Sequence, residues 1–365
     1  MKIALSGYYG FDNAGDEALL LAIRSSLESL APDCEFVVFS GNPVKTRQLH
    51  NIRAVYNMNP WSVARELLTS DLLISGGGSI FQDVTSSRSL LYYISVVLLA
   101  RMLGKPVVFY AQGVGPIRRP FNRWLLGRVA DRVNLITLRD QASRDFMHRL
   151  GVNKPPIKVT ADPVFALQAD EDSKADMLRR FPFLNGDTGK CMGVSVRHWP
   201  ALQSYQQELA AVLDYFARSG FKVIFVPMDY PADIKESELV ASYMKEEYFL
   251  LSDEMTTEQH LALICNLDLM VGMRLHALIF AASCDVPFAG ISYDPKIDAF
   301  LDLFGKRPLA GETDLMIAQI EEQLYNQAAR EQFRAQAEKM RVQSRENARL
   351  TLEVVPKSAR RVKSR

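Results

Sequence analysis

The chain of 365 residues is short of several features that mark whole classes of protein. It has only four cysteines, Cys34, Cys191, Cys265 and Cys284, widely separated and none in a CxxC pair. Neither a zinc site nor a disulfide framework is expected, and all four read as reduced core thiols of a cytosolic protein. Neither sign of charge is in excess: 43 Lys and Arg against 42 Asp and Glu leave a net +1, so no overall field argues for nucleic acid as a partner. No long hydrophobic run occurs. The longest, LLYYISVVLLA at 90–100, falls well short of a bilayer crossing, and MKIALSGYYG enters a strand pattern without the regions of a secretory signal. No His/Cys/Asp cluster has metal-ligand spacing, so no metal is expected.

Apolar side chains make up 48% of the chain, enough for two ordinary domains. Short apolar runs alternate with amphipathic segments of helical period: KIALSG, EFVVFS, LLISGG, PVVFYAQG, LITLR and IKVTADPV, then CMGVSVRHW, KVIFVPM, YFLLS, LDLMVGM and PFAGISY. That alternation predicts α/β structure, with parallel strands and helices on both faces, in two Rossmann-like domains facing a cleft. The expected division is an N-terminal domain 1–167, a polar linker 168–190, a C-terminal domain 191–312, a solvated helical segment 313–350 and a basic tail 351–365.

In open α/β sheets ligands bind beyond the strand carboxyl ends, so the turns there are the candidate sites. The first, LSGYYGFDNAGDEALL, is not GxGxxG and reads equally as a sugar-binding loop or a structural turn, with Gly10, Asn13, Gly15 and Asp16 as its notable residues. The second, LLISGGGSIFQD, places Gly76, Gly77 and Gly78 after a strand; three glycines predict either a ligand passing close by or tight packing. The third, YAQGVGPIRRPFNRW, offers Gln112 at a strand end. Its Arg118, Arg119 and Arg123 read as a solvated helical face or as a seat for membrane headgroups. In the fourth, LITLRDQASRDF, Asp140 is the expected helix cap, and Arg139 is expected to point into the cleft unless a neighbouring acid holds it.

The fifth turn, MVGMRLHALIFAA, is the most informative. A buried strand is expected to hand over at Gly272 to a helix whose first turn carries Arg274 and His276, around an anion seated on the helix N-terminus. The sixth, ISYDPKIDAF, presents Lys296 beside the same edge, and in VSVRHWP one of Arg197 and His198 is expected to face the cleft, with Arg197 favoured.

In that order SGYYGFDNAGDEALL, ISGGGSIFQD, AQGVGPI, LRDQAS, ADPVF, MRLHA and SYDPK resemble the polysaccharide pyruvyl transferases, over roughly residues 3 to 305. The nearest branch acts on a cell-wall polymer of surface-layer-bearing bacteria. The resemblance implies a glycosyltransferase-B-like fold that moves pyruvate from phosphoenolpyruvate, a co-substrate rather than a cofactor, onto two hydroxyls of one sugar as a cyclic ketal. It implies an N-acetylmannosamine acceptor on a polyprenyl diphosphate at the inner face of the cytoplasmic membrane. It further implies that Arg274, His276, Lys296 and Arg139 bind the donor, with Arg197 a secondary choice. His276 is the expected acid/base, since imidazole switches roles near neutral pH, and the cations form the clamp that a compact trianion requires. A catalytic acid among Asp12, Asp16, Asp162 and Asp229 is left open.

Two other readings stand beside this one. A nucleotide-sugar glycosyltransferase would share the architecture but commonly holds ribose with an acid after the diphosphate turn; here the first acid after His276 is Asp285, beyond the apolar face of the helix. A non-catalytic phospho-metabolite binding module would keep the cations and have no need of His276.

Overall fold

Apolar runs joined by amphipathic helices bury both faces of a sheet only when the strands lie parallel beneath helices. The computed structural model describes residues 1–84, 86–185, 189–200, 202 and 205–355 and shows that solution twice. The chain divides into unit 1, Met1–Ala166 with Met340–Arg365, and unit 2, Leu167–Lys339.

Unit 1 runs β1 (Lys2–Tyr9), α1 (Ala14–Leu30), β2 (Glu35–Ser40), α2 (Pro43–His50), β3 (Arg53–Tyr56), α3 (Pro60–Thr69) and β4 (Leu72–Gly76). It continues α4 (Ser87–Met102), β5 (Val107–Gln112), α5 (Pro120–Ala130), β6 (Leu135–Leu138), α6 (Gln141–Arg149) and β7 (Ile157–Val159). Its parallel sheet has the order β3-β2-β1-β4-β5-β6-β7. Short polar side chains start the helices: Asn13, Asn42, Asn59, Ser86 and Asp140 each accept from backbone N–H groups of the following turn, satisfying donors that the helix leaves open. One face of the sheet packs Val63, Leu90, Leu126 and Met147 from α3 to α6; the other packs Leu20, Ile23 and Leu27 of α1. Each such side chain contributes about 2 kcal/mol by leaving water.

Unit 2 contains α7 (Glu171–Arg180), β8 (Lys190–Ser195), α8 (Tyr205–Arg218), β9 (Phe221–Phe225), α9 (Ala232–Ala241), β10 (Tyr248–Leu250) and α10 (Thr257–Cys265). Then come β11 (Leu269–Gly272), α11 (Leu275–Ser283), β12 (Phe288–Gly290), α12 (Pro295–Leu303), α13 (Thr313–Tyr325) and α14 (Gln327–Val354). The sheet order is β10-β9-β8-β11-β12, again parallel.

Three features differ from the sequence reading. The polar stretch 168–190 is not a bare linker: α7 buries Met177, and the Lys174 carbonyl accepts from the Asn266 side chain. The closing segment is not a solvated helix. In α14, Phe333, Ala337, Met340, Ser344, Asn347, Ala348 and Thr351 form a buried stripe at three- and four-residue steps. Asn347, fully buried, accepts from the Thr160 hydroxyl at 2.7 Å and donates to the Ala161 carbonyl at 3.0 Å, so the end of this helix belongs to unit 1. Third, Cys265 and Cys284 are not free thiols but a disulfide, because the ends of α10 and α11 lie side by side with Cα atoms 5.1 Å apart; Cys34 and Cys191 remain free. Most of the expected basic tail, 356–365, lies outside the described residues.

Unit 2 also buries a lysine. Lys306 Nζ sits 4.9 Å from the Phe288 ring centre and 5.4 Å from that of Phe333, and donates to the Gln323 side chain. Burial pushes its amine down to about 8, against a weak pull upward from Glu322. An unfolded chain keeps that proton to about pH 10.4, so between about pH 8 and 10.4 the unfolded state binds more protons and stability rises with pH; it is lost as pH falls through 8. The stability of Lys306→Met relative to the parent is expected to fall by up to about 3 kcal/mol as pH rises across that window. Urea titrations at several pH values check this, and a pH-independent difference would show an ordinary lysine.

Candidate active site

The order of a doubly wound sheet reverses between two neighbouring strands, and the loops leaving their carboxyl ends diverge to leave room for a ligand. In unit 2 those strands are β8 and β11. Ser195 pairs with Gly272, and Gly272 with Gly290. Arg197 and Arg274, each two residues past its paired position, therefore leave the sheet at one level, with Tyr293 three residues past Gly290.

Arg274 is the N-cap residue of α11, so the strand runs through Gly272 and the helix starts one residue later than the sequence reading placed it. Its side chain is almost wholly buried, and a charge there needs a counter-ion. Asp233, at the start of α9 and 1% exposed, supplies it: Arg274 Nε donates to Asp233 Oδ2 at 2.8 Å, and Nη2 donates to both Asp233 and Asp229, the latter at 2.9 Å. Burial opposes the guanidinium charge, but the bonds to Asp233 and the nearness of Asp229 more than restore it. Burial pushes the Asp233 carboxyl up, and Arg274 offsets only part of that.

Arg197 has the opposite surroundings. Its guanidinium carbon stands 5.0 Å from the Tyr293 ring centre and 5.6 Å from that of Trp199, and Nη1 donates to the Tyr293 hydroxyl at 2.9 Å. Its buried Nε has no acceptor, and no acid pairs with it among the described residues. Lys296 approaches the same tyrosine, with Nζ 5.9 Å from the ring centre and 3.8 Å from Asp294 Oδ2. His276 is half-buried in the first turn of α11, a helix whose N-cap side chain makes no capping bond. His198 points away instead, largely exposed, 3.2 Å from Glu236.

The corresponding reversal in unit 1 lies between β1 and β4, and its polar groups are spent internally. Asn13 Oδ1 accepts from the N–H groups of Gly15 and Asp16, while Glu17 accepts from Gly10 N–H at 2.7 Å and pairs with His50 at 2.7 Å. The triple glycine is explained by packing. A Cβ on Gly76 would lie 2.8 Å from the Tyr9 hydroxyl, and Gly77 and Gly78 both have positive φ. Asp16 stands beside Gly78, 3.3 Å from where its Cβ would be. Gln112 is withdrawn from the acceptor-facing set: it is fully buried and donates to the Ser75 carbonyl at 2.9 Å, tying β5 to β4.

Arg139 belongs to this unit, not to the unit holding Arg274, His276, Lys296 and Arg197. It is held by Asp162 at 3.1 Å and by the Ser79 hydroxyl at 2.8 Å, with Asp140 at 3.8 Å. Gly113 admits it, since a Cβ there would stand 2.8 Å from Arg139 Nε. Of the open acids, Asp12 pairs with Lys45, Asp162 with Arg139 and Asp229 with Arg274. Among the described residues no group of three or more His, Cys, Asp and Glu is arranged to hold a metal ion, and no helix is long and apolar enough to cross a membrane.

Residues 13–295 match the family described as polysaccharide pyruvyl transferase. The chain belongs to that family. It is also 23% identical over 264 residues to the amylovoran biosynthesis protein AmsJ of Erwinia amylovora, a match covering 68% of this chain and 62% of that relative's length. Among solved structures, Anabaena HepE in complex with UDP-glucose superposes with a TM-score of 0.65 at 15% identity, covering 97% of this chain and 99% of that one. The UDP-GlcNAc 2-epimerase from Neisseria meningitidis bound to UDP-GlcNAc gives 0.64 at 13%, covering 97% and 100%. Those likenesses establish the fold alone: α/β with two Rossmann-like units, in the glycosyltransferase-B-like class.

Within this pyruvyl transferase family member, the sequence reading missed Asp233. The signal for Asp233 was present in PMDYPAD, an acid-bearing turn directly after β9, but nothing along the chain ties it to an arginine 41 residues later. Arg197 stands as a secondary choice in the sequence because VSVRHW aligns less surely with the family pattern; Trp199 and Tyr293, which bracket it, stand in VSVRHW and SYDPK. The buried pair has a measurable consequence. Asp233→Ala strands the Arg274 charge with only the more exposed Asp229, and is expected to cost about 3 kcal/mol in urea unfolding, with Asp233→Asn milder; an unchanged midpoint would show the pair to be dispensable.

Proposed function

We propose that the protein transfers pyruvate from phosphoenolpyruvate as a 4,6-linked ketal onto an N-acetylmannosamine residue of a lipid-linked cell-wall polysaccharide precursor, releasing phosphate. Family membership supports transfer of pyruvate to a polysaccharide. The observation that carries the donor assignment is the convergence of Arg197 and Lys296 on Tyr293, beside the α11 turn that bears Arg274 and His276. Two cations without full acid compensation, next to helix N–H groups, suit a compact trianion.

The roles follow from these surroundings. Arg197, planar and lacking an acidic partner, binds carboxylate or phosphate in bidentate fashion; Lys296 acts as a point charge. Arg274, already balanced by Asp233 and Asp229, fixes the turn that presents His276. Arg139, in unit 1, is already held by Asp162 and Ser79. In the reaction the methylene carbon takes a proton and becomes the methyl group. The carbon–oxygen bond to phosphate breaks, two sugar hydroxyl oxygens bond to the former enol carbon, and their two protons end on the methyl group and the phosphate. His276 is the proton carrier.

Because the fold is shared with proteins solved with UDP-sugars, nucleotide-sugar glycosyl transfer is the second reading. Calorimetry with phosphoenolpyruvate and with UDP-glucose separates the two, with only the former expected to bind. Acceptor-dependent phosphate release is then expected to fall by about a thousandfold in His276→Ala at an unchanged melting temperature. In Arg197→Met the loss is expected chiefly as a raised KM for phosphoenolpyruvate. Near-normal turnover in the histidine variant would remove it from the chemistry.

A further inference from the structure

The stretch 84–130 contains no Asp or Glu, while it carries Arg88, Arg101, Lys105, Arg118, Arg119, Arg123 and Arg128. In a chain of net charge +1 this is a segregation of sign, leaving the remainder net negative. The fold concentrates part of it. Helices α4 and α5 lie on the same face of the unit 1 sheet and start at the same edge, and Asp83 pins those starts together. Its carboxylate accepts from the backbone N–H groups of Arg118 and Arg119 at 2.6 and 3.0 Å and from the Asn122 amide at 2.9 Å. The acid nearest to the arginines is thus engaged with backbone and amide donors.

Apolar side chains stand outward on that edge. Phe121 is 60% and Trp124 56% exposed, with rings 5.9 Å apart, on the α5 face opposite Asn122, Leu126 and Val129. In the same acid-free stretch Leu91 of α4 and Val84 of the preceding loop are 38% and 47% exposed, and Arg88, one turn before Leu91, is exposed. Aromatic and aliphatic groups on a stretch of exposed arginines, its one flanking acid Asp83 taken up by backbone and amide donors, match the chemistry of a headgroup boundary: hydrocarbon accepts the apolar tips and phosphates accept the guanidinium groups. Stacking on nucleic-acid bases would use the rings but gives no role to Val84 and Leu91.

We propose that this edge of unit 1 is a docking surface for an anionic lipid bilayer. The proposal does not depend on the pyruvyl-transfer reading, and its test needs no turnover. The full chain is sedimented with vesicles of equal phosphatidylglycerol and phosphatidylcholine, and with phosphatidylcholine alone, at low and high salt. Binding to the anionic vesicles only, weakened by salt, is expected. The exposed pair Phe121→Ser with Trp124→Ser, and separately Arg118→Glu with Arg119→Glu, should each lower it by about tenfold or more while melting temperatures stay at the parent value. Every variant keeps the basic C-terminal tail, so its contribution cancels in the comparison. Equal binding to both vesicle types, parental binding by both variants, or loss of binding to single-stranded RNA rather than to vesicles would overturn the proposal.

Discussion

A charged arginine that leaves the end of a buried strand has to be neutralised where it stands, and the organisation of unit 2 follows from that constraint. Arg274 meets it through Asp233 and Asp229, which come from the opposite side of the β8–β11 reversal. The pair ties the first turn of α11 to the start of α9, across the carboxyl end of β8. Such a pair adds little net stability after desolvation, yet removing one partner alone is costly, so its effect is to specify geometry. The turn that carries His276 is thereby fixed without any contribution from a ligand.

Arg197 gains its character by contrast. It is the same residue type at the same level of the neighbouring strand, yet tyrosine and tryptophan faces surround it in place of carboxylates. Ring faces attract a cation without cancelling its charge. Two arginines two residues beyond paired strand positions thus differ in partners, one between carboxylates and one between ring faces.

Unit 1 repeats the architecture with a different balance. Glycines, Asn13, Glu17 and Gln112 are taken up by capping, strand bracing and close packing against α1. Three glycines in a row let β4 approach Tyr9 and Leu19, and the amide of Gln112 at a strand end satisfies the buried Ser75 carbonyl. Asp16 is half-buried beside Gly78.

Periodicity and turn chemistry made the alternation of strands and helices, the strand-end positions of Arg274, Arg197 and Lys296, and the cap at Asp140 legible along the chain, because each depends on neighbours within a few residues. The four-residue β3 escaped notice, its run being too short to carry a pattern, and the inward stripe of α14 was masked by the charges between its buried positions. By itself the sequence determined the α/β class, the doubled plan and the residue types at the strand ends. Only the tertiary structure decided which charges are spent and which are free, that Cys265 meets Cys284, and that residues 340–354 return to unit 1. Those outcomes depend on distances between segments far apart in the chain, and such distances are set by how helices seat on a sheet.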